Sequence, residues 1–503
     1  MGVIISYINL AISSLIPFIY TPNMLKMLGQ EEYGLYSLSS SAVAYLSLLS
    51  FGFGSTIVRY MAKYRAEGNK EAEENIFGFF IALYCGLACL VLLGGIIISN
   101  NVGPIFHRGL TTIELSKMKI LVIIMSFNSA LSFPVSVFSS TVTAHEKYVY
   151  LKMVDMIATV GAPVANLIAL YLGFGSVGMT LAATLIQFML LPLNMGYCFK
   201  VLNLKPRFKI LPAKLIKELV GFSAFVFIGS IVDMLFWATD KVILGMLASS
   251  AAVAIYNVGA TFNHIVMNLS TSISSVLTPK ITGMVVKNAS KEQLTELFIR
   301  VGRLQFIIIA IIVSGFAVFG QSFISLWAGS DYADAYWVAI LTMFPLCIPL
   351  IQNTGLSIVV SQNKHQFRSM VYLMIAIANV IFTYLAVPTY GIIGAATCSC
   401  IAYLFGQGII MNIYYYKVTG INIPLFWKNI LSMAVIPGGM LICGLVVNHF
   451  IVFNNWCSFL LGVIVYSIVY VLLMYAHCMN DYEKDLFRKP IHRAIDKIKN
   501  EGK

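Results

Sequence analysis

The chain is poor in charge. Asp, Glu, Lys and Arg make up 11% of its 503 residues, where a soluble domain carries about a quarter. That shortage excludes a water-soluble globular chain and a disordered one, since neither stays in solution with so few ions. Cysteine patterns are missing as well. The nine cysteines (85, 89, 198, 347, 398, 400, 443, 457 and 478) show no CxxC and no metal spacing. Nearly all lie in apolar runs and read as small apolar residues, not as disulfides or ligands. No P-loop, HExxH or GxSxG is present, which leaves ATPase, metalloprotease and serine-hydrolase chemistry without its machinery. Long polar loops are absent too. The longest connection on one side runs only from Ile98 to Met118, too little for an extramembrane catalytic domain. The chain therefore reads as no enzyme, with no cofactor and no metal site.

What is present is apolar length. Hydrophobic residues make up 59% of the chain and the mean hydropathy is +0.85. A hydrocarbon core about 30 Å thick takes about 20 apolar residues per helix. Apolar runs at 3–21, 35–58, 76–98, 118–139, 153–172, 176–198, 219–239, 250–278, 302–319, 336–356, 369–388, 391–413, 429–448 and 455–476 meet that length. The fold class is an all-α polytopic membrane protein of about 14 transmembrane helices. The N-terminus, Met1 to Ser6, has no basic stretch and no cleavage site, so it reads as the start of the first span.

The net charge of +12 orients the chain and does not point to nucleic acid. Of the 33 basic residues, 28 fall on one alternating set of connections and 5 on the other. The positive-inside rule then puts both termini in the cytoplasm. After Met479, the residues Phe487, Ile491, Ile495 and Ile498 recur at helical spacing among Lys and Arg. This tail reads as a basic amphipathic stretch on the inner leaflet, with a solvated tail as the alternative.

The chain also resembles itself. Leu28-Gly29 recurs as Leu244-Gly245, and Gly175-Ser176-Val177-Gly178 recurs as Gly391-Ile392-Ile393-Gly394, both offset by 216 residues. Gly34 to Leu38 matches Ala254 to Val258 at an offset of 220. The expected organisation is a six-helix lobe over 1–216, a pseudo-twofold-related lobe over 217–415, two further spans over 416–478 and the basic tail over 479–503. A repeat with an even number of spans keeps its orientation, so its axis runs along the membrane normal. Such a pair of lobes supports alternating access.

An ionisable residue inside a span costs about 2.5–3.5 kcal/mol on insertion scales and is a functional candidate by default. Asp233 and Asp240, seven apart, share a helix face. The Asp240-Lys241 pair reads either as an interfacial pair that ends the helix or as a cavity-lining acid for a coupling cation or a sugar hydroxyl. His264 reads as a packing histidine or as a titrating one. Arg59 ends the second span and Lys280 the eighth, at matching depth in the two repeats. They are either ordinary flanking charges or two cations facing a diphosphate. Amides recur inside the spans at Asn128, Asn166, Gln187, Asn194, Asn257, Asn263, Asn268, Gln352, Asn353, Asn379 and Gln407. They serve either as interhelical hydrogen bonds or as a wet lumen.

Three segments carry a family likeness: Leu28-Gly29-Gln30-Glu31-Glu32-Tyr33-Gly34-Leu35-Tyr36, Phe51 to Tyr60, and Thr239-Asp240-Lys241-Val242-Ile243-Leu244-Gly245. The chain resembles the polysaccharide transporter (oligosaccharide flippase) family of the multidrug/oligosaccharidyl-lipid/polysaccharide exporter superfamily along essentially its whole length. The resemblance implies a multi-pass protein of a bacterial plasma membrane. Such a protein flips undecaprenyl-diphosphate-linked oligosaccharide from the inner to the outer leaflet by alternating access through a cationic lumen. It implies substrate contacts at Arg59, Lys280, Lys241, Asn257 and Asn263, and a lumen or coupling role, with Na+ or H+, for Asp233, Asp240 and His264. In the related lipid II flippases the last two helices form a groove for the lipid tail, which gives the thirteenth and fourteenth spans a job. A polysaccharide polymerase and glycosyltransferases are the implied partners. Two alternatives share the fold: a lipid II flippase and a cation-coupled multidrug antiporter. Antiporters of that branch often carry a carboxylate in the first helix; here that span has no acid, and its polar residues include Ser6, Asn9, Ser13 and Ser14.

Overall fold

The computed structural model describes residues 2–209, 212–287, 289–362, 364–451, 453–486 and 488. Within the helices a few side chains, that of Lys280 among them, lie outside the described part, as does the tail motif from Phe487 to Ile498. All regular structure among the described residues is helical. In order these are α1 (Gly2–Ala44), a 3-10 turn (Tyr45–Ser50), α2 (Phe53–Ala66), α3 (Lys70–Phe106), α4 (Thr112–Ala144), α5 (Tyr148–Tyr171) and α6 (Gly175–Gly196). There follow α7 (Ala213–Trp237), α8 (Thr239–Leu247), α9 (Ser250–Val286), α10 (Lys291–Trp327), α11 (Ala335–Ile351) and α12 (Asn353–Ser361). The chain continues with α13 (His365–Tyr403), α14 (Met411–Tyr414), α15 (Ile423–Phe450) and α16 (Trp456–His477). Nine of the described helices are long and apolar enough to cross a bilayer, and α11 with α12, bent by 46°, make a tenth.

Part of the difference from fourteen has a structural reason. Two long helices each carry two of the apolar runs. In α1 the backbone leaves helical geometry at Gly29 (φ 76°), between the first and second runs. In α13 it does so at Gly391 (φ 53°), between the eleventh and twelfth. Only glycine occupies such a left-handed position without a Cβ penalty. One pair of glycines at the 216-residue offset shares a backbone feature. Gly175, the counterpart of Gly391, also has a positive φ, 58°. Gly178 and its counterpart Gly394 both press against the Cβ of the aromatic residue four positions earlier, Phe174 and Tyr390.

Contacts divide the chain into two compact units, residues 1–257 with 372–398, and residues 258–371 with 399–503. Lipid gives helices no hydrophobic reason to associate, so close packing and internal hydrogen bonds hold them. In the first unit an aromatic core of Phe53, Phe77, Phe80, Tyr84, Phe133 and Phe138 joins α2, α3 and α4. Small residues admit the closest approaches. A side chain at Gly34 on α1 would overlap the carbonyl of Ser250 at the start of α9, and one at Gly245 on α8 would meet Leu38. Hydroxyls inside the bundle return their protons to their own helix, as Ser39 does to the Leu35 carbonyl (2.8 Å) and Thr141 to that of Val137 (2.8 Å). Those residues are satisfied and need no ligand.

The connection after α6 is pinned rather than loose. The Arg207 guanidinium meets Glu74 at 2.8 Å, the Lys209 ammonium meets Glu71 at 2.6 Å, and the Arg207 amide donates to the Glu74 carbonyl at 3.1 Å. Counting basic residues saw only loop charge there.

In the second unit, α10 and α16 meet through Phe319, Phe459, Tyr466 and Tyr470, and the Tyr470 hydroxyl donates to the Ile307 carbonyl at 2.9 Å. Gln305 on α10 donates to the Ser274 hydroxyl on α9 at 2.6 Å. Below α16 the buried Arg303 binds Glu483 through two hydrogen bonds, 2.7 and 2.9 Å, and donates to the Cys478 carbonyl at 2.8 Å. Both side chains are almost wholly out of solvent. Removing one partner of such a buried pair strands the other charge, at a cost of about 3–5 kcal/mol.

Three outcomes follow for purified protein in detergent. Gly34→Leu forces α1 off α9 and lowers the thermal midpoint, with a cost of about 1–3 kcal/mol for overpacking. Gly86→Ala, where an added Cβ meets nothing within 4 Å, leaves the midpoint in place or raises it. Glu483→Ala destabilises the second unit by the amount given above, read as early proteolysis of α16.

Candidate functional site

The polar residues expected to act cluster in part. In the first unit the close approach at Gly34 brings the turn before it against α9. Tyr33 thereby reaches Asn257, whose amide donates to the Tyr33 hydroxyl at 2.6 Å. The Lys241 ammonium donates to the carbonyl oxygen of the same amide at 3.2 Å. Asp240, one residue earlier on α8 and so about 100° round the helix, accepts from the Tyr256 hydroxyl instead. Beside it the hydroxyls of Tyr45 and Thr239 bond each other. The Asp240 carboxylate is 1% exposed, and burial of a charge is tolerated where partners answer it; Tyr256 donates to one of its oxygens and the Lys241 charge acts on it electrostatically. From α13, the Cys398 thiol lies within electrostatic reach of Asp240. Thr383 and Asn379, one turn apart on α13, are both buried. The arrangement is a buried acid with a cation, phenols and neutral oxygen donors around it.

The other candidates stand apart. Asp233 is exposed on α7 and His264 on α9. Asn263 is buried and donates to Thr342 at 2.8 Å, an interhelical bond to α11. Arg59 is exposed on α2, its guanidinium 6.0 Å from the Tyr60 ring centre. Arg59 belongs to the first unit and residue 280 to the second. Several of the amides are spent on packing. Gln352 donates to Asn412 at 2.8 Å, and Trp427 donates to the same oxygen at 2.9 Å.

Two carboxylates outside the spans were not singled out by their sequence context. Glu32, in the connection after the first span, accepts from the Lys117 ammonium at 2.7 Å and from the Ser176 amide at 2.7 Å. Burial works against its charge, but the hydrogen bonds from Lys117 and Ser176 outweigh it and hold the acid below its ordinary value. Glu114 closes a capping box with Thr111 and accepts from Ser250. The Thr-x-x-Glu spacing before an apolar run was the legible signal there.

A second feature lies in the other unit. Between α15 and α16, against α10, runs an apolar groove of about 650 Å³. Val435, Gly439, Met440, Leu461, Val465 and Tyr466 form much of its wall. A side chain added at Gly439 meets nothing within 4 Å, whereas one at Gly462 strikes Phe453.

The described residues form a multi-pass helical membrane bundle, with a buried acid in one unit and an apolar groove along the last two helices of the other. Residues 2–285 match the family described as "Polysaccharide biosynthesis protein", and the chain belongs to that family. Among relatives, it is 21% identical over 491 residues to the membrane protein EpsK of Bacillus subtilis (strain 168), covering 94% of each chain. It is 23% identical over 363 residues to the membrane protein MJ1068 of Methanocaldococcus jannaschii, covering 70% of this chain and 71% of that one. Its fold is that of the lipid II flippase MurJ in an inward closed conformation, with TM-score 0.73 at 15% identity over 97% of this chain and 99% of the other. An inward-facing multidrug resistance MATE family transporter superposes with TM-score 0.62 at 14% identity, over 84% of this chain and 99% of its own.

The Glu32 contacts carry a pH sign. An acid held below its ordinary value of 4.5 contributes stability that is fully present above that value and is lost as pH falls through the lowered one. Melting scans in detergent from neutral to acid pH will show a drop below pH 4.5 that Glu32→Gln makes shallower, while the neutral-pH midpoint falls slightly.

Proposed function

We propose that this protein flips a polyprenyl-linked oligosaccharide, the undecaprenyl-diphosphate-borne repeat of a surface polysaccharide, from the inner to the outer leaflet of a bacterial plasma membrane. The groove between α15 and α16 carries the proposal. A soluble or small amphipathic cargo needs no lipid-facing apolar channel, whereas a long polyprenyl chain must stay in an apolar medium while its head crosses. The family points to polysaccharide precursors. Fold coverage favours the same side: the MATE transporter is matched end to end by 84% of this chain, while the MurJ flippase takes up 97%.

In this reading both termini face the cytoplasm, as the basic connections direct. The lobes alternate access to the two sides. Lys241 and Asn257 meet the polar head of the cargo, and Arg59 and Lys280 meet its diphosphate at the inner mouth. Asp240, buried beside Tyr256 and near Thr383, takes Na+ or H+ as a coupling ion, with Asp233 and His264 as further candidates. Glycosyltransferases supply the cargo on one side and a polymerase consumes it on the other. The MurJ-type alternative differs only in the glycan carried.

Export of surface polysaccharide in a deletion strain complemented with variants tests this. Gly439→Phe fits the groove without backbone collision and blocks it, lowering export by about tenfold, the scale of 1.4 kcal/mol of lost binding, at normal protein level. Unchanged export in that variant overturns the groove's role. Asp240→Asn abolishes export at normal abundance if the acid couples the cycle. Wild-type export in that strain removes Asp240 from the mechanism.

A further inference from the structure

A second cavity, of about 870 Å³, lies in the second unit where α10, α15 and the segment after α16 meet. It opens at the end of the bundle that carries the basic connections. Three cations line it: Arg303, which is paired with Glu483, and two more, Lys291 and Arg300. Neither has a carboxylate within ion-pair distance among the described residues.

Both are held in place. The aliphatic stem of Lys291 lies over Gly420, whose left-handed φ of 78° excludes a side chain there. The Arg300 guanidinium lies flat on the Tyr482 ring, 3.2 Å from its centre. Tyr482 is itself fixed by its neighbour Glu483, which the buried Arg303 clasps. A stacked guanidinium keeps its edge N–H donors available. Around the cations stand Glu292, Glu296, the amides of Asn429 and Asn480, and Tyr416.

This mixture is informative. Fixed cations suit phosphate oxygens. Carboxylates and amides suit hydroxyls, and phenol rings offer apolar faces. Asn429 lines the cavity and Val435 the groove; six residues apart on α15, they are about 9 Å apart along its axis.

We infer that this cavity binds the glycosyl-phosphate head of a polyprenyl-linked cargo while its tail occupies the α15–α16 groove, a docking position separate from Arg59 and Lys280. The inference rests on the flippase reading above. It names Lys291 and Arg300 as phosphate contacts, with Glu292 and Glu296 taking the attached sugar.

The test is binding of undecaprenyl diphosphate to the purified full chain in nanodiscs, with inorganic pyrophosphate and phosphatidylglycerol as competitors. The expected result is affinity about tenfold or more weaker in the Lys291→Gln, Arg300→Gln double variant, the size of a lost charge-assisted contact. Its melting point should be unchanged, and Arg300→Lys should retain most of the binding. Equal affinity in wild type and double variant overturns the inference and leaves the flippase reading standing. Wild type that neither binds undecaprenyl diphosphate nor responds in export to Gly439→Phe overturns both. Displacement by pyrophosphate at equal concentration makes the cavity a free-phosphate site, and displacement by phosphatidylglycerol makes it a general lipid-headgroup site. Either result overturns the inference.

Discussion

A hydrocarbon slab offers no hydrogen bonds, and that single constraint organises this molecule. Every backbone group must be satisfied inside a helix, so the chain is a set of helices. A buried hydroxyl is favoured where it finds an acceptor, and Ser39, Thr141 and others return to their own carbonyls. A group that keeps a charge in such a medium needs an answering partner. Asp240 is therefore informative, while the serines around it are not. Tyr256 donates to its carboxylate, and the Lys241 charge acts on it electrostatically.

The same constraint gives meaning to the apolar groove and the charged cavity below it. Helices packed in lipid close their interfaces with small residues and interlocking rings, as α10 and α16 do through Phe319 and Tyr466. Between α15 and α16 that closure is incomplete along a wall that includes Gly439 and Gly444. An open apolar wall costs little where lipid tails fill it, and it accepts a tail of any apolar composition. The polar cavity at its end is the opposite case, since two cations held without acid partners are stable only where water or an anion reaches them.

Much of the architecture was legible beforehand, because the signals involved are local. Span length and hydropathy act within about 20 residues, so the fourteen apolar runs correspond to helices. The glycines chosen from the repeat, Gly175 and Gly391, turned out to share a left-handed backbone, since only glycine tolerates that geometry. The site was legible only in part. Asp240, Lys241 and Asn257 were picked for being polar inside an apolar run, and they fall in one network. Asn263 was picked by the same rule but is spent on Thr342. Polarity in a span marks a residue that needs a partner; it does not say whether the partner is a neighbouring helix or a cargo.

Sequence alone determined that this chain is a multi-pass helical protein with an internal repeat, because hydrophobic length, charge bias and glycine position are properties of short stretches. Which distant residues meet was left to the tertiary structure. Arg303 and Glu483 are separated by 180 residues, and Tyr33 and Asn257 by 224. Nothing near either residue names its partner. Those pairings come from helices settling where small residues let them approach, and only then do the groove, the cavity and the buried acid take shape.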